Sequence, residues 1–450
     1  MSKSFISIPR LFLLAVLAAS VLLSHNAFAQ DGHNHDGHDH SQHQHDGHDH
    51  SQHNHDGHDH AKHEGHSHGN HGCGGDGDGP YDPVATAMHH ISDANEFHVL
   101  GDFHIPLPVI LYAPDQGLTT GLSSMFHHGH TAVDGYVLDH GRVKRVKPGQ
   151  GFPTQAVDHD CITHEERMVM VLGKEKKQEV GFVEYKGKKY ELESSSTLDG
   201  GLFGGGFTSY YDFSITRNVF AMLLCAIILV FLFLRVAKGY KDRKGMAPKG
   251  LQSFMEPFFT FIRDEVSIPM IGEKHYERFQ PFVMSLFFFV LILNLTGLVP
   301  FFPGGSNVTG NLAVTMALAL LTFIITTVNG NKHYWEHILW MPGIPGWVKI
   351  VLTPVEVLGM FIKPFSLMIR LFANITAGHI IILSLIGLIF IFGDNGNNVG
   401  GATAGGVVGV AFTAFMNLIE LIVAFIQAFI FATLSASYIG AAVEEAHEHH

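Results

Sequence analysis

The stretch KPFSLMIRLFANITAGHIIILSLIGLIF, residues 363–390, constrains this chain more than any other. From Phe365 on it is apolar enough for the interior of a lipid bilayer, yet Arg370 and His379 lie inside it. A charge near the middle of a membrane helix costs at least ~2.5–3.5 kcal/mol on insertion scales. A chain that keeps one there has a use for it.

The surrounding composition divides in two. Of 450 residues, 46% are hydrophobic and only 15% charged, which fits neither a soluble globule nor a protein that is membrane throughout. A polar half joined to a membrane half fits. The formal net charge of −13 treats 34 histidines as neutral and so understates the positive charge available. Three cysteines, Cys73, Cys161 and Cys225, are too few for a disulfide framework, and Cys225 sits in an apolar run. No basic patch with interleaved aromatics is present, which excludes nucleic acid as a partner class.

Residues 1–29 read as a signal peptide. Lys3 and Arg10 precede the apolar core LFLLAVLAASVLL, and Ala27 and Ala29 form an A-x-A pattern with cleavage after Ala29. The alternative, a short first membrane helix, falls below the ~20 residues a span needs. Cleavage places the mature N-terminus outside the cytoplasm.

Residues 30–79 hold a repeat: HDGHDHSQH at 35–43 recurs at 45–53, and again as HDGHDHAKH at 55–63. Such a tract has nothing apolar to bury, and disorder is expected. His35, His38, His40, His45, His48, His50, His55, His58 and His60, with the adjacent aspartates, suit Zn, Ni or Cu as a flexible multidentate chelator. A solvated tail that binds metal only incidentally fits the composition equally. Histidine also titrates between about pH 5 and 8, a range in which the tract takes up protons.

Residues 80–211 carry short β-like runs between Gly, Asp and Pro turns, among them PVILYAP, DGYVLDHGRVKRV and KQEVGFVEYKGKKYELESS. A small extracytoplasmic β-rich region is expected. THEER at 163–167 begins like a zinc-protease motif but lacks the second histidine of HExxH, and reads as a surface charge cluster. GGLFGGGF at 200–207 lacks the strand and helix that would make it a phosphate loop.

Residues 212–450 form an all-α, polytopic membrane domain of about five crossings. VFAMLLCAIILVFLFL (219–234) is the first, and Arg235, Lys238, Lys241, Arg243, Lys244 and Lys249 behind it mark the cytoplasmic side. LQSFMEPFFTFIRDEVSIPMIG is too charged to span and reads as a helix on the membrane surface. Spans at 281–302 and 312–328 follow. Two long segments, 351–392 and 406–441, each exceed a perpendicular span, so they tilt or extend beyond the bilayer. Their connection GDNGNNVGGATAG has no Lys or Arg, and five crossings leave the C-terminus in the cytoplasm.

At ~100° per residue, Glu356, Lys363 and Arg370 share one stripe of the first long helix, with Asn374 near it and His379 on the opposite face. The second long helix offers Asn417, Glu420 and Gln427. A structural polar pair, such as a His379–Glu420 hydrogen bond, is the plain reading of any one of these. Several titratable groups on adjacent helices, with an arginine lacking a carboxylate at i±3 or i±4, favour an ion path.

These residues carry a resemblance. KPFSLMIRLFANITAGHIII closely resembles the arginine-bearing helix of subunit a of the F-type ATP synthase. LIELIVAFIQAFIFATLSASYIGAA is similar to that family's final helix, and LILNLTGLVPFFPGGSNVTGNLAVTMALAL to its helical hairpin. The match covers about 210–445 and, weakly, MHHI at 88–91; the signal peptide and His-rich tract depart from it.

The resemblance implies that Arg370 is the essential arginine beside a rotor, with Asn374 and Gln427 as polar partners. It implies Glu356 near a cytoplasmic half-channel, and His379 and Glu420 in the outer one. It also implies a multi-pass protein of a bacterial-type inner membrane, without catalytic activity or required cofactor. Its partners would be the c-ring, subunit b of the peripheral stalk and the other synthase subunits. Whether H⁺ or Na⁺ is carried is decided on the rotor chain. The competing reading, a divalent-metal transporter with a metal-collecting tail, calls for His and Asp ligands at helical spacing inside the spans, and none occurs. A membrane assembly factor with a metal-binding tail leaves Arg370 without a purpose.

Overall fold

In PVILYA every second side chain is buried: Val109, Leu111 and Ala113 face inward while Tyr112 is exposed. A period of two marks a half-buried strand. The computed structural model describes residues 92–100, 103–171, 174–196, 208–299, 304–341, 343–394 and 398–444. The expected signal peptide, His-rich tract and glycine-rich stretch at 200–207 lie outside them.

The described polar half holds β1 (Glu96–Leu100), β2 (Phe103–Pro106), β3 (Pro108–Ala113) and β4 (Gly117–Leu122), then a 3-10 turn over Ser123–Gly129. After it come β5 (Thr131–Ala132), β6 (Tyr136–Asp139), β7 (Arg142–Arg145), β8 (Val157–Asp158), β9 (Cys161–Val171), β10 (Lys174–Tyr185), β11 (Lys188–Glu191) and β12 (Tyr211–Asp212). All pairings are antiparallel, in small sheets ordered β1-β2, β12-β3-β4, β5-β8, β6-β7 and β11-β10-β9. Two hairpins turn in two residues, at His140–Gly141 and Lys186–Gly187, with positive φ at all four positions. That backbone matches the right-handed twist of the flanking strands and favours Gly second.

The expected β-rich region is thus present. Tyr136, Tyr210 and Phe126 are fully buried at its centre, and the Tyr210 hydroxyl donates to the Val143 carbonyl at 3.0 Å. The charge cluster at 163–167 is only partly a surface feature. Glu165 pairs with Lys189 in the open, but His164 Nε2 lies 3.0 Å from Oδ2 of buried Asp139. Burial alone pushes the Asp139 carboxyl up, but His164 and Lys144 outweigh it and hold it below its ordinary range.

The region is anchored to the first helix. Arg217 N–H donates to the Ala94 carbonyl at 2.8 Å and Asn218 N–H to the Asp93 carboxylate at 3.1 Å. Phe97 meets Phe220 edge to face at 5.5 Å.

The second half is helical throughout: α1 (Arg217–Asp242), α2 (Leu251–Phe261), a π-helical turn over Ile262–Ser267, α3 (Ile268–Ile271), α4 (Tyr276–Leu298), α5 (Leu312–Val328), α6 (Lys332–Trp340), α7 (Gly346–Phe392) and α8 (Val399–Val443). Four of these are long and apolar enough to cross a membrane, or five if α5 and α6, bent by 103°, form one span. The stretch 251–272, too charged to span, is helical as α2, the π turn and α3. Asn side chains cap α5 and α8, Asn311 accepting from Ala313 N–H and Asn398 from Gly401 N–H.

In lipid, burying phenylalanine gains little over leaving it among acyl chains, so close packing and polar ties hold such a bundle together. α4 is its centre: 72% of its apolar stretch is buried, against 17% for α7. Asn294 Nδ2 donates to the Ala424 carbonyl at 3.1 Å, joining α4 to α8. Thr322 and Ser435 hydroxyls meet at 3.2 Å between α5 and α8, and Asn331 Nδ2 donates to the Val443 carbonyl at 2.7 Å. Ties of this kind are worth about 0.6 kcal/mol each on average in a membrane protein.

Candidate functional site

α7 and α8 are 47 and 45 residues long, about 70 Å each at 1.5 Å per residue and more than twice the ~30 Å hydrocarbon thickness. They pack where side chains are smallest. A Cβ placed on Gly405 would sit 2.8 Å from the Leu388 carbonyl oxygen, and one on Gly409 2.8 Å from that of Leu385. A row of small residues four apart lets the two backbones approach closely.

Along this pair the polar residues fall into two environments. Arg370 and Asn374 are exposed, among the exposed apolar side chains of Phe365 and Ile369. Among the described residues Arg370 forms no ion pair and no side-chain hydrogen bond. Its charge is felt at Tyr438 of α8, and Lys363, one stripe position earlier on α7, lies 5.8 Å above the Tyr438 ring. Glu356 is half-buried further toward the start of α7.

Glu420 and Gln427 point inward and are 4% and 7% exposed. Neither Glu420 carboxylate oxygen has a hydrogen-bond partner among the described residues. The carboxyl packs on α7 at Gly378, where a Cβ would stand 2.6 Å from Oε1. His379, the next residue, is half-buried and turns its Nε2 toward Gly297 of α4, 3.7 Å from the position a Cβ would take there. No hydrogen bond joins His379 to Glu420, so the plain reading of a closed structural pair does not describe this geometry. Instead an unpartnered carboxyl and an imidazole flank one glycine.

Gly378 and Tyr438 belong to this arrangement and were not read from the sequence. Gly378 carries no chemistry of its own. Tyr438 lies eighteen residues, five full turns, beyond Glu420 on α8, and a tyrosine there carries no charge to draw notice.

Two long helices on a buried core, with an arginine on their exposed face that has no ion pair among the described residues, define a multi-pass α-helical membrane protein. The family model of the ATP synthase A chain matches residues 219–440, and a domain of unknown function (DUF8433) matches residues 86–171. ATP synthase subunit a of Chloroherpeton thalassium is 44% identical over 258 residues, covering 55% of this chain and 70% of that protein. ATP synthase subunit a of Myxococcus xanthus is 42% identical over 245 residues, covering 53% and 76%. The chain belongs to the ATP synthase A chain family.

Proposed function

We propose that this chain is the proton-conducting, non-catalytic subunit of an F-type ATP synthase, coupling proton flow to the rotation of a c-ring. The observation that carries this reading is Arg370: exposed, unpaired among the described residues and set in an apolar helix face. A guanidinium stays charged at any accessible pH, unlike lysine or histidine. Lipid is a poor neighbour for it, and a chain that brings a carboxyl past it is a good one. At 4 Å and an effective dielectric of 20 the attraction is about 4 kcal/mol, or about three pKa units on that carboxyl. Each rotor carboxyl must be neutral to face lipid, so one drawn up to Arg370 gives up its proton and one moving away takes a proton back.

Two half-channels follow from this requirement. His379 and Glu420 form the outer one, supported by a buried carboxyl without donors among the described residues beside a half-buried imidazole. Glu356 lies along the inner one, and Asn374 and Gln427 serve the rotor face. Arg370 stands between them as a fixed charge that a proton does not cross.

The mature N-terminus is extracytoplasmic and the C-terminus cytoplasmic in a bacterial-type inner membrane. The lysines and arginines that follow α1 support this orientation. The partners are the c-ring, subunit b of the peripheral stalk and the other synthase subunits. The His-rich residues 30–79 take no part in the channel.

ATP synthesis in inverted vesicles under an imposed proton gradient tests the proposal. Arg370→Ala is expected to abolish synthesis while insertion and assembly persist. Arg370→Lys should lose most of it, because both the planar fork and the permanence of the charge change. Near-normal synthesis with alanine would overturn the mechanism.

A further inference from the structure

We propose that Glu96, His104 and His128 form a binding site for Zn²⁺ or a similar first-row divalent ion, on the β-rich region and separate from the His-rich tract. Glu96 lies opposite Pro106 and residue 98 opposite His104 in the β1–β2 hairpin, so Glu96 and His104 occupy diagonal positions on one face. His128 arrives from the 3-10 turn, at φ 56°, next to His127 at φ 43°. Two consecutive left-handed residues that are not glycine are rare, and their combination turns the His128 ring toward the hairpin.

Three ligand atoms converge there. His104 Nδ1 and His128 Nδ1 are 2.8 Å apart, with the rings at 89°. Glu96 Oε1 lies 3.5 Å from His104 Nδ1, and Glu96 Oε2 3.4 Å from His128 Nδ1. Ligands of a tetrahedral zinc ion with bonds of 2.0–2.1 Å stand about 3.3 Å apart, so these edges bracket the required triangle. Two imidazole nitrogens and one carboxylate are also a ligand set that zinc takes with its fourth position open.

Glu96 has no lysine or arginine partner among the described residues. The similar group Asp139, His140 and His164 differs here: Lys144 Nζ stands 2.6 Å from Asp139 Oδ2, a fixed cation where an ion would go. The Glu96 and His104 side chains are 15% and 17% exposed, and that of His128 52%. Two ligands are therefore held in the wall while the third leaves one side open to water. Binding would fasten the 3-10 turn to the hairpin that carries Phe97 against α1.

The test uses the purified chain in detergent, whole and with residues 33–71 deleted, stripped by chelator and then equilibrated with Zn²⁺ or Co²⁺. The deleted chain is expected to keep one Zn²⁺ per molecule after gel filtration, and its Co²⁺ form to show the strong visible absorption of a four-coordinate ion. His104→Ala and His128→Ala should each abolish stoichiometric binding, and Glu96→Gln should weaken it at least about tenfold, with Asp139→Asn unchanged. The site is overturned by any of three results: no retained Zn²⁺ in the deleted chain, retention in the His104→Ala, His128→Ala double variant, or loss on Asp139→Asn equal to that on His104→Ala. Should the variants misfold, the cobalt spectrum of the unmutated deleted chain decides. The weak absorption of a six-coordinate ion there also overturns the proposal.

Discussion

Glu420 keeps its place through a residue with no side chain. Gly378 lets the carboxyl lie flat on α7, and a methyl group there would stand 2.6 Å from Oε1 and 2.9 Å from the carboxyl carbon. Real Cβ atoms do not approach that closely, so the carboxyl must move. Gly378→Ala is therefore expected to slow passive proton uptake by the membrane sector severalfold without preventing assembly. Shortening the neighbour, in Gly378→Ala with Glu420→Asp, should restore part of the rate. A double variant no faster than Gly378→Ala alone would show that crowding is not the cause. The charges at this site were legible in the sequence because each is costly where it stands. Arg370 and Glu420 break apolar runs and announce themselves. Gly378 and Tyr438 were not legible, because glycine is common in membrane helices and a tyrosine carries no charge to justify.

At the scale of elements, length and apolarity made the membrane half readable: the runs around 219–234, 351–392 and 406–441 became α1, α7 and α8. What escaped were elements without a periodic signal. β4, GLTTGL, is mostly glycine and threonine, and the π turn over Ile262–Ser267 runs through Arg263, Asp264 and Glu265, which suggested only polarity. β1 and β2 are five and four residues long, too short for alternation to stand out. The packing of α8 on α7 yields a sharper expectation. Gly409 is buried, and any side chain there meets the Leu385 carbonyl. Gly409→Leu should splay the two helices, lower the thermal midpoint of the purified chain by several degrees and reduce co-purification of the c-ring. An unchanged midpoint would mean that this crossing contributes little to the bundle.

Across the whole molecule the two halves answer different conditions. The membrane half is held by packing and buried hydroxyl and amide ties, which do not titrate. The β-rich half contains His159, 8% exposed, whose ring nitrogens have no hydrogen-bond partner among the described residues; burial pushes its pKa below the ordinary 6.5. The unfolded chain then binds a proton that the folded one refuses. Stability from this group is complete above pH 6.5 and declines as pH falls from there toward the folded value. Hydrogen-exchange protection in β9 and β10, taken against the intrinsic rate at each pH, is expected to fall on acidification through that window, while protection in α4 does not. His159→Gln should flatten the response, and an unaltered pH profile in that variant would assign the effect elsewhere. The exposed face of α7 also bears on the fate of the chain in the cell. A copy synthesised without the rotor chain displays a bare guanidinium among Phe365 and Ile369, a group that is costly in lipid and weakens the orphan's hold on its fold. On the proposed reading a rotor chain covers Arg370 and sets the supply of this protein, whose half-life in a pulse-chase should shorten severalfold when that chain is missing. Arg370→Leu should lengthen the orphan's life, while an orphan as durable as the assembled subunit would contradict this reading.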